Sequence, residues 1–139
     1  GKAGGVFKQV RPDDLLSFVL KELLKNNPNI DPKVIDDVVI GCAMPEAEQG
    51  LNIARIAALL ANYPQSVSGV TVNRFCASGL QSIAYAADRI RLGEAELMVA
   101  GGVESMSMIP MMGHHPAFNI KTFNEDNIGI AYGMGTTAE

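Results

Sequence analysis

Val72-Asn73-Arg74-Phe75-Cys76-Ala77-Ser78-Gly79-Leu80-Gln81-Ser82 decides the fold of this chain. Val70, Thr71 and Val72 are β-branched and favour a strand. From Ala77 onward the period changes. Leu80, Ile83, Ala84, Ala87 and Ile90 recur three and four apart, which is helical spacing. Cys76 therefore falls where a strand hands over to a helix N-terminus. Unpaired amide N–H groups and the positive end of the dipole favour a thiolate there. Ser78 and Gly79 are small and leave room for another molecule near the sulfur. Strand, sharp turn with a nucleophile, then helix is a recurring way to present a reactive side chain. A free cysteine is equally at home as a small buried hydrophobe. On geometry alone the two readings stand level.

Working outward, Val67 to Phe75 reads as the strand and Ala77 to Leu92 as the helix, with Gly93 at its C′ position. Leu97-Met98-Val99-Ala100 is a buried strand. Upstream, Val38 to Gly41 is a continuous apolar run of the kind buried on both faces, and Cys42 closes it as a structural cysteine. Asn52 to Asn62 reads as a helix with Ile53, Ile56, Ala57 and Leu60 inward. A first helix opens on Pro12 with Asp13 and Asp14 in its first turn. Leu15, Leu16, Val19, Leu20, Leu23 and Leu24 form its buried stripe, and Asn26-Asn27-Pro28 stops it. Asp31-Pro32-Lys33 opens a short helical turn. Strands alternating with helices predict an α/β fold with a parallel sheet covered by helices.

The chain has 139 residues, 47% hydrophobic and 19% charged, so it is globular in composition. Aromatic residues make up only 6% and Trp is absent, so the core rests on Leu, Ile, Val, Ala and Met. A formal charge of −4 gives no case for nucleic acid. Arg89 and Arg91 form the only basic cluster and read as a solvated face. No run of about 18 apolar residues is present, so no membrane span is expected. Two cysteines do not make a disulfide framework. If Cys76 is a nucleophile it must stay reduced, which implies an intracellular setting. No metal site is expected: His114 and His115, beside Pro110 and Gly113, read as exposed loop histidines without a third ligand.

Asn73-Arg74-Phe75-Cys76-Ala77-Ser78-Gly79-Leu80-Gln81-Ser82 resembles the acyl-enzyme motif of the thiolases. Gly41-Cys42-Ala43-Met44-Pro45-Glu46 through Gly50-Leu51-Asn52-Ile53-Ala54-Arg55 resembles the family's loop and helix before the nucleophile strand. Ala100-Gly101-Gly102-Val103-Glu104-Ser105-Met106-Ser107 resembles the strand end after the nucleophile helix, and Gly135-Thr136-Thr137-Ala138-Glu139 the start of a later segment. The order and spacing agree from about Gly4 to Glu139.

The resemblance implies a thiolase-like fold, of which these residues are the N-terminal half only and incomplete. Residues 1–110 are then part of the N-terminal domain, with its first strand missing. Residues 111–139 begin the loop domain that covers the acyl-CoA. The absent strand lies mid-sheet in the family, so unpaired edges and bare apolar faces are expected at Val38 to Ile40 and Leu97 to Ala100. The family's Gly-His-Pro and Cys-x-Gly-Gly-Gly patterns, which carry its base and second cysteine, do not occur here.

By the same resemblance the activity is thiolytic cleavage of 3-ketoacyl-CoA through a cysteine acyl-enzyme, with Cys76 as nucleophile. Coenzyme A serves as substrate, and no cofactor is tightly bound. Met134 matches a position lining the acyl pocket, or else fills a loop core. Biosynthetic members often carry His before that Met, where this chain has Gly133, which favours the degradative direction. The alternatives are a biosynthetic acetoacetyl-CoA thiolase, a cysteine acyl-hydrolase, which lacks the His–Asp pair it needs, and an inactive fragment that only associates. Glu104 and Ser105 are expected to bond neighbouring loops near a subunit contact, and Asn73 and Arg74 to order the turn and a dimer interface. A homodimer or homotetramer is expected. So is a cytoplasmic setting, with an organellar one left open because the family's first strand precedes these residues.

Overall fold

The computed structural model describes residues 2–139. Helix α1 spans Pro12–Lys25, strand β1 Asp37–Gly41, helix α2 Ile53–Leu60, strand β2 Ser68–Val72, helix α3 Ser78–Arg91, strand β3 Met98–Gly102 and the short helix α4 Met134–Ala138. The three strands form a parallel sheet in the order β2-β1-β3. The element types and the α/β class match the sequence reading.

β1 is central, pairing Val39 with Val70 on one side and with Ala100 on the other. Its side chains alternate between two covered faces, as its apolar run requires. Val38, Ile40 and Cys42 enter a core with Leu16 and Leu20 of α1 and Ile53, Ala54, Ala57 and Ala58 of α2. Full burial of each larger aliphatic side chain contributes about 1.5–3 kcal/mol. Val39 and Gly41 face α3. The expectation of bare surface at Val38 to Ile40 is therefore wrong: these residues are at most 2% exposed, because β1 is paired on both edges and covered on both faces. Leu97 to Ala100 are half-buried.

Two helical stripes also differ from expectation. In α1, Val19 and Leu23 are exposed, and the inward face is Pro12, Asp13, Leu16, Ser17 and Leu20. The helix is rotated so that Asp13, chelated by Arg11 at 2.9 and 3.0 Å, lies inward. In α2, Ala54 and Ala58 replace Leu60 on the inward side. Its N-cap, Asn52, accepts from the Arg55 N–H and donates to the Gly69 carbonyl at 2.7 Å, so α2 is fastened to β2.

α3 departs most. Leu80, Ile83 and Ile90 are exposed, and Ser78, Ser82 and Ala86 meet the sheet instead. The reason is close approach. A Cβ at Gly41 would lie 2.6 Å from the Gly79 nitrogen and nearer still to the Ser78 carbonyl. Only glycine beneath and a small residue above permit that spacing. Ser82 reinforces it by donating to the Gly101 carbonyl at 2.8 Å. At the far end Arg89 bonds Asp37 at 3.1 Å, so it anchors α3 to β1 and is not a solvated cation. The helix stops at a Schellman motif: Gly93, at φ +72°, donates to Ile90 O, and Glu94 donates to Arg89 O.

Gly41→Ala is expected to cost about 3 kcal/mol, at the top of the overpacking range, because backbone and not a flexible side chain must move. Urea unfolding measures it, and a change below about 0.5 kcal/mol, the scale of an ordinary surface substitution, would contradict the seat.

Candidate active site

All three strands run the same way, so their carboxyl ends share one side of the sheet, where loops of parallel α/β folds carry their sites. β2 ends at Val72, three residues before the predicted end. The Asn73 side chain stops it by accepting the Phe75 N–H at 2.9 Å, an Asx turn. Phe75 then takes φ +46°, which is sparsely populated for a bulky residue. Ala77 donates to Arg74 O and Ser78 to Phe75 O, closing the turn.

Ser78 is the buttress. It is 3% exposed, and its Oγ accepts the Arg74 N–H at 2.8 Å and donates to the Phe75 carbonyl at 2.6 Å. From the sequence alone Ser78 is a small residue that leaves space. Its hydroxyl instead holds both ends of the turn. Asn73 orders the turn as expected.

Cys76 stands at the tip of this turn and is exposed, one residue before the α3 cap at Ala77. It is outside the helix, not within its first turn. Among the described residues no protein group accepts the Cys76 amide N–H. Cys42 is the opposite kind of cysteine. It is 1% exposed, and burial first, then the nearby Glu104 carboxylate, pushes its thiol up to about 11. That suits a structural residue.

Glu104 and Ser105 bond loops of this same chain. The Glu104 carboxylate accepts from Ala43 N–H at 2.7 Å and from Gln49 Nε2 at 2.6 Å, and the Ser105 N–H donates to Gln49 Oε1. Gln49 went unnoticed in the sequence, since a single glutamine in a polar loop carries no periodic signal. The segment after Ser107 is mostly exposed. It is tied back by the Ser107 hydroxyl, which accepts the Gly4 N–H at 3.0 Å, and by Glu46, which accepts the His114 N–H. Met134 is exposed at the start of α4 and enters no core. His114 and His115 are exposed. Among the described residues no three His, Cys, Asp or Glu side chains converge to hold a metal, and no helix is long and apolar enough to cross a membrane.

Brief treatment with iodoacetamide near neutral pH is expected to label Cys76 and spare Cys42. The folded Cys42 thiol titrates above its free value, so its burial stabilises the fold fully below pH 9 and progressively less as pH rises toward about 11. Labelling of Cys42 should appear only over that window. Peptide mapping checks both, and preferential labelling of Cys42 would contradict the assignment.

The comparisons with known proteins agree with one another. A family model described as the thiolase N-terminal domain matches residues 1–139. The 3-ketoacyl-CoA thiolase of Bacillus subtilis is 51% identical over an alignment covering all of this chain and 35% of that protein. The 3-oxoadipyl-CoA/3-oxo-5,6-dehydrosuberyl-CoA thiolase of Escherichia coli is 51% identical over 81% of this chain and 28% of its own length. The crystal structure of the Bacillus anthracis acetyl-CoA acetyltransferase superposes with a TM-score of 0.71 at 43% identity, covering 77% of this chain and 27% of that one. The chain thus spans about a third of the length of the curated relatives it matches. These matches place the chain in the thiolase family, in its N-terminal domain.

Proposed function

We propose that the whole protein is a 3-ketoacyl-CoA thiolase in which Cys76 carries the acyl group, with coenzyme A as substrate and no tightly bound cofactor. The observation that carries this reading is the exposed Cys76 thiol at the tip of a turn pinned by Asn73 and Ser78. The thiolate attacks the C3 carbonyl carbon of a β-ketoacyl-CoA. The C2–C3 bond breaks, its electron pair leaves on acetyl-CoA as an enolate, and that carbon takes a proton. The shortened acyl chain stays on sulfur until a coenzyme A thiolate attacks the thioester and frees Cys76. In this reading the Cys76 N–H donates to the oxyanion formed beside it. The base and the second cysteine belong, by resemblance, to segments that these residues do not contain.

Other parts follow from the same reading. Residues 111–139 begin the loop domain over the acyl-CoA, and Met134 lines the acyl pocket. The exposed α3 stripe of Leu80, Ile83 and Ile90 is the surface that the second, similar half covers, helix on helix. The protein works as a homodimer or homotetramer in the cytoplasm. A biosynthetic acetoacetyl-CoA thiolase is the second reading, supported by the name of the Bacillus anthracis structure. In that direction an acetyl-CoA carbanion attacks the acyl-enzyme. The two readings are separated by comparing turnover of long-chain and four-carbon substrates.

In the whole protein, Cys76→Ser should lower thiolysis at least about a thousandfold, the scale of losing a nucleophile, with little change in stability because the side chain is exposed. Loss of the substrate's enolate absorbance measures it. Undiminished turnover would remove Cys76 from the mechanism.

A further inference from the structure

A ring of hydrogen bonds joins the loops that leave β1 and β3, and the acyl-transfer chemistry does not call on it. Gln49 is fully buried although it is polar and closes the short 3-10 helix Ala47–Gln49. Its Nε2 donates to the Met44 carbonyl at 2.9 Å and to Glu104 Oε1 at 2.6 Å, and sits 3.4 Å from Cys42 Sγ. Its Oε1 accepts the Ser105 N–H, and Glu104 Oε2 accepts the Ala43 N–H at 2.7 Å. An ionised carboxylate only accepts, so Glu104 fixes which way round the Gln49 amide sits.

The location gives the ring a second consequence. In the order β2-β1-β3 the chain leaves β1 toward β2 and later returns to its other side. The carboxyl ends of β1 and β3 thus flank a switch point, and the ring closes it. Directly beneath, Val103 N–H donates to Gly41 O at 3.0 Å, and Gly41 is the seat of Ser78 and Gly79. A shift of this rim passes through backbone contacts alone to the α3 first turn and hence to Cys76. Glu104 is exposed, so water could replace its bond to the Ala43 N–H, whereas the buried Gln49 amide has its partners only within the ring.

We propose that Gln49 and Glu104 are positioning residues for the Cys76 turn, holding the β1 and β3 rim against which the first turn of α3 is set. The kinetic part of this inference rests on the acyl-transfer reading. The structural part does not. Glu104→Gln is the informative variant: it keeps size but puts an NH₂ group where two donors converge, so one of the two bonds is lost.

In the whole protein, Glu104→Gln is expected to lower kcat for thiolysis about tenfold, within the range that a misplaced reacting group produces. KM should stay within about twofold, and the thermal midpoint should move only a few degrees. Undiminished kcat, or loss of kcat that only follows a collapsed midpoint, would overturn the proposal. Hydrogen exchange of the same protein without substrate is the second arm. The variant should speed exchange about tenfold in the peptide covering Phe75 to Gly79 and leave α1 unchanged, and unaltered exchange there would equally overturn it. If the unmutated protein shows no thiolysis, the acyl-transfer reading falls and the exchange arm alone decides the ring.

Discussion

The close approach of the first turn of α3 to Gly41 is the constraint on which the rest of the structure depends. It brings Ser78 backbone onto β1 with no side chain between them. From that seat Ser78 Oγ reaches both Arg74 N–H and Phe75 O, which fixes the turn. The turn in turn projects Cys76 into solvent at the carboxyl side of the sheet. The same approach dictates that Ser82 and Ala86 lie against the strands, so the larger residues of α3 must face outward. One steric condition therefore sets the presentation of the thiol and the apolar character of the outer helix surface.

Much of this was legible in the sequence because period and chain punctuation report local conformation directly. The strand-to-helix handover at Cys76, the central apolar strand, Pro12 opening α1 and Gly93 closing α3 all depend on nearest neighbours along the chain. Which face of a helix is buried does not. The Leu80, Ile83 and Ile90 stripe has helical spacing, yet the sheet takes the serine and alanine face, because Gly41 and Gly102 are supplied by strands far away in sequence. In α1 the buried face likewise includes a charged residue, Asp13, held by an Arg11 that stays exposed. Apolar periodicity identifies a helix but cannot tell a face meeting its own sheet from a face left for another surface.

The site was legible only at its exposed cysteine. Cys76 declares itself by the residues around it. Ser78 was visible but misread, since its role depends on where Arg74 and Phe75 place their backbone groups. Gln49 was invisible, because its four polar contacts come from Cys42, Met44, Glu104 and Ser105, which topology brings to one corner and sequence does not. The two cysteines show how burial separates like residues. Cys42 ends a core strand and its thiol is held neutral to about 11, whereas Cys76 ends a surface turn.

If this turn presents Cys76 for acyl transfer, its sulfur is the atom that takes up the acyl group. The most direct measurement is mass spectrometry of the whole protein quenched in acid shortly after mixing with acetyl-CoA, followed by peptide mapping. One added acetyl group is expected, confined to the peptide containing Cys76 and removed by free coenzyme A. Acetylation elsewhere, or none on that peptide under conditions where the protein turns over, would contradict it.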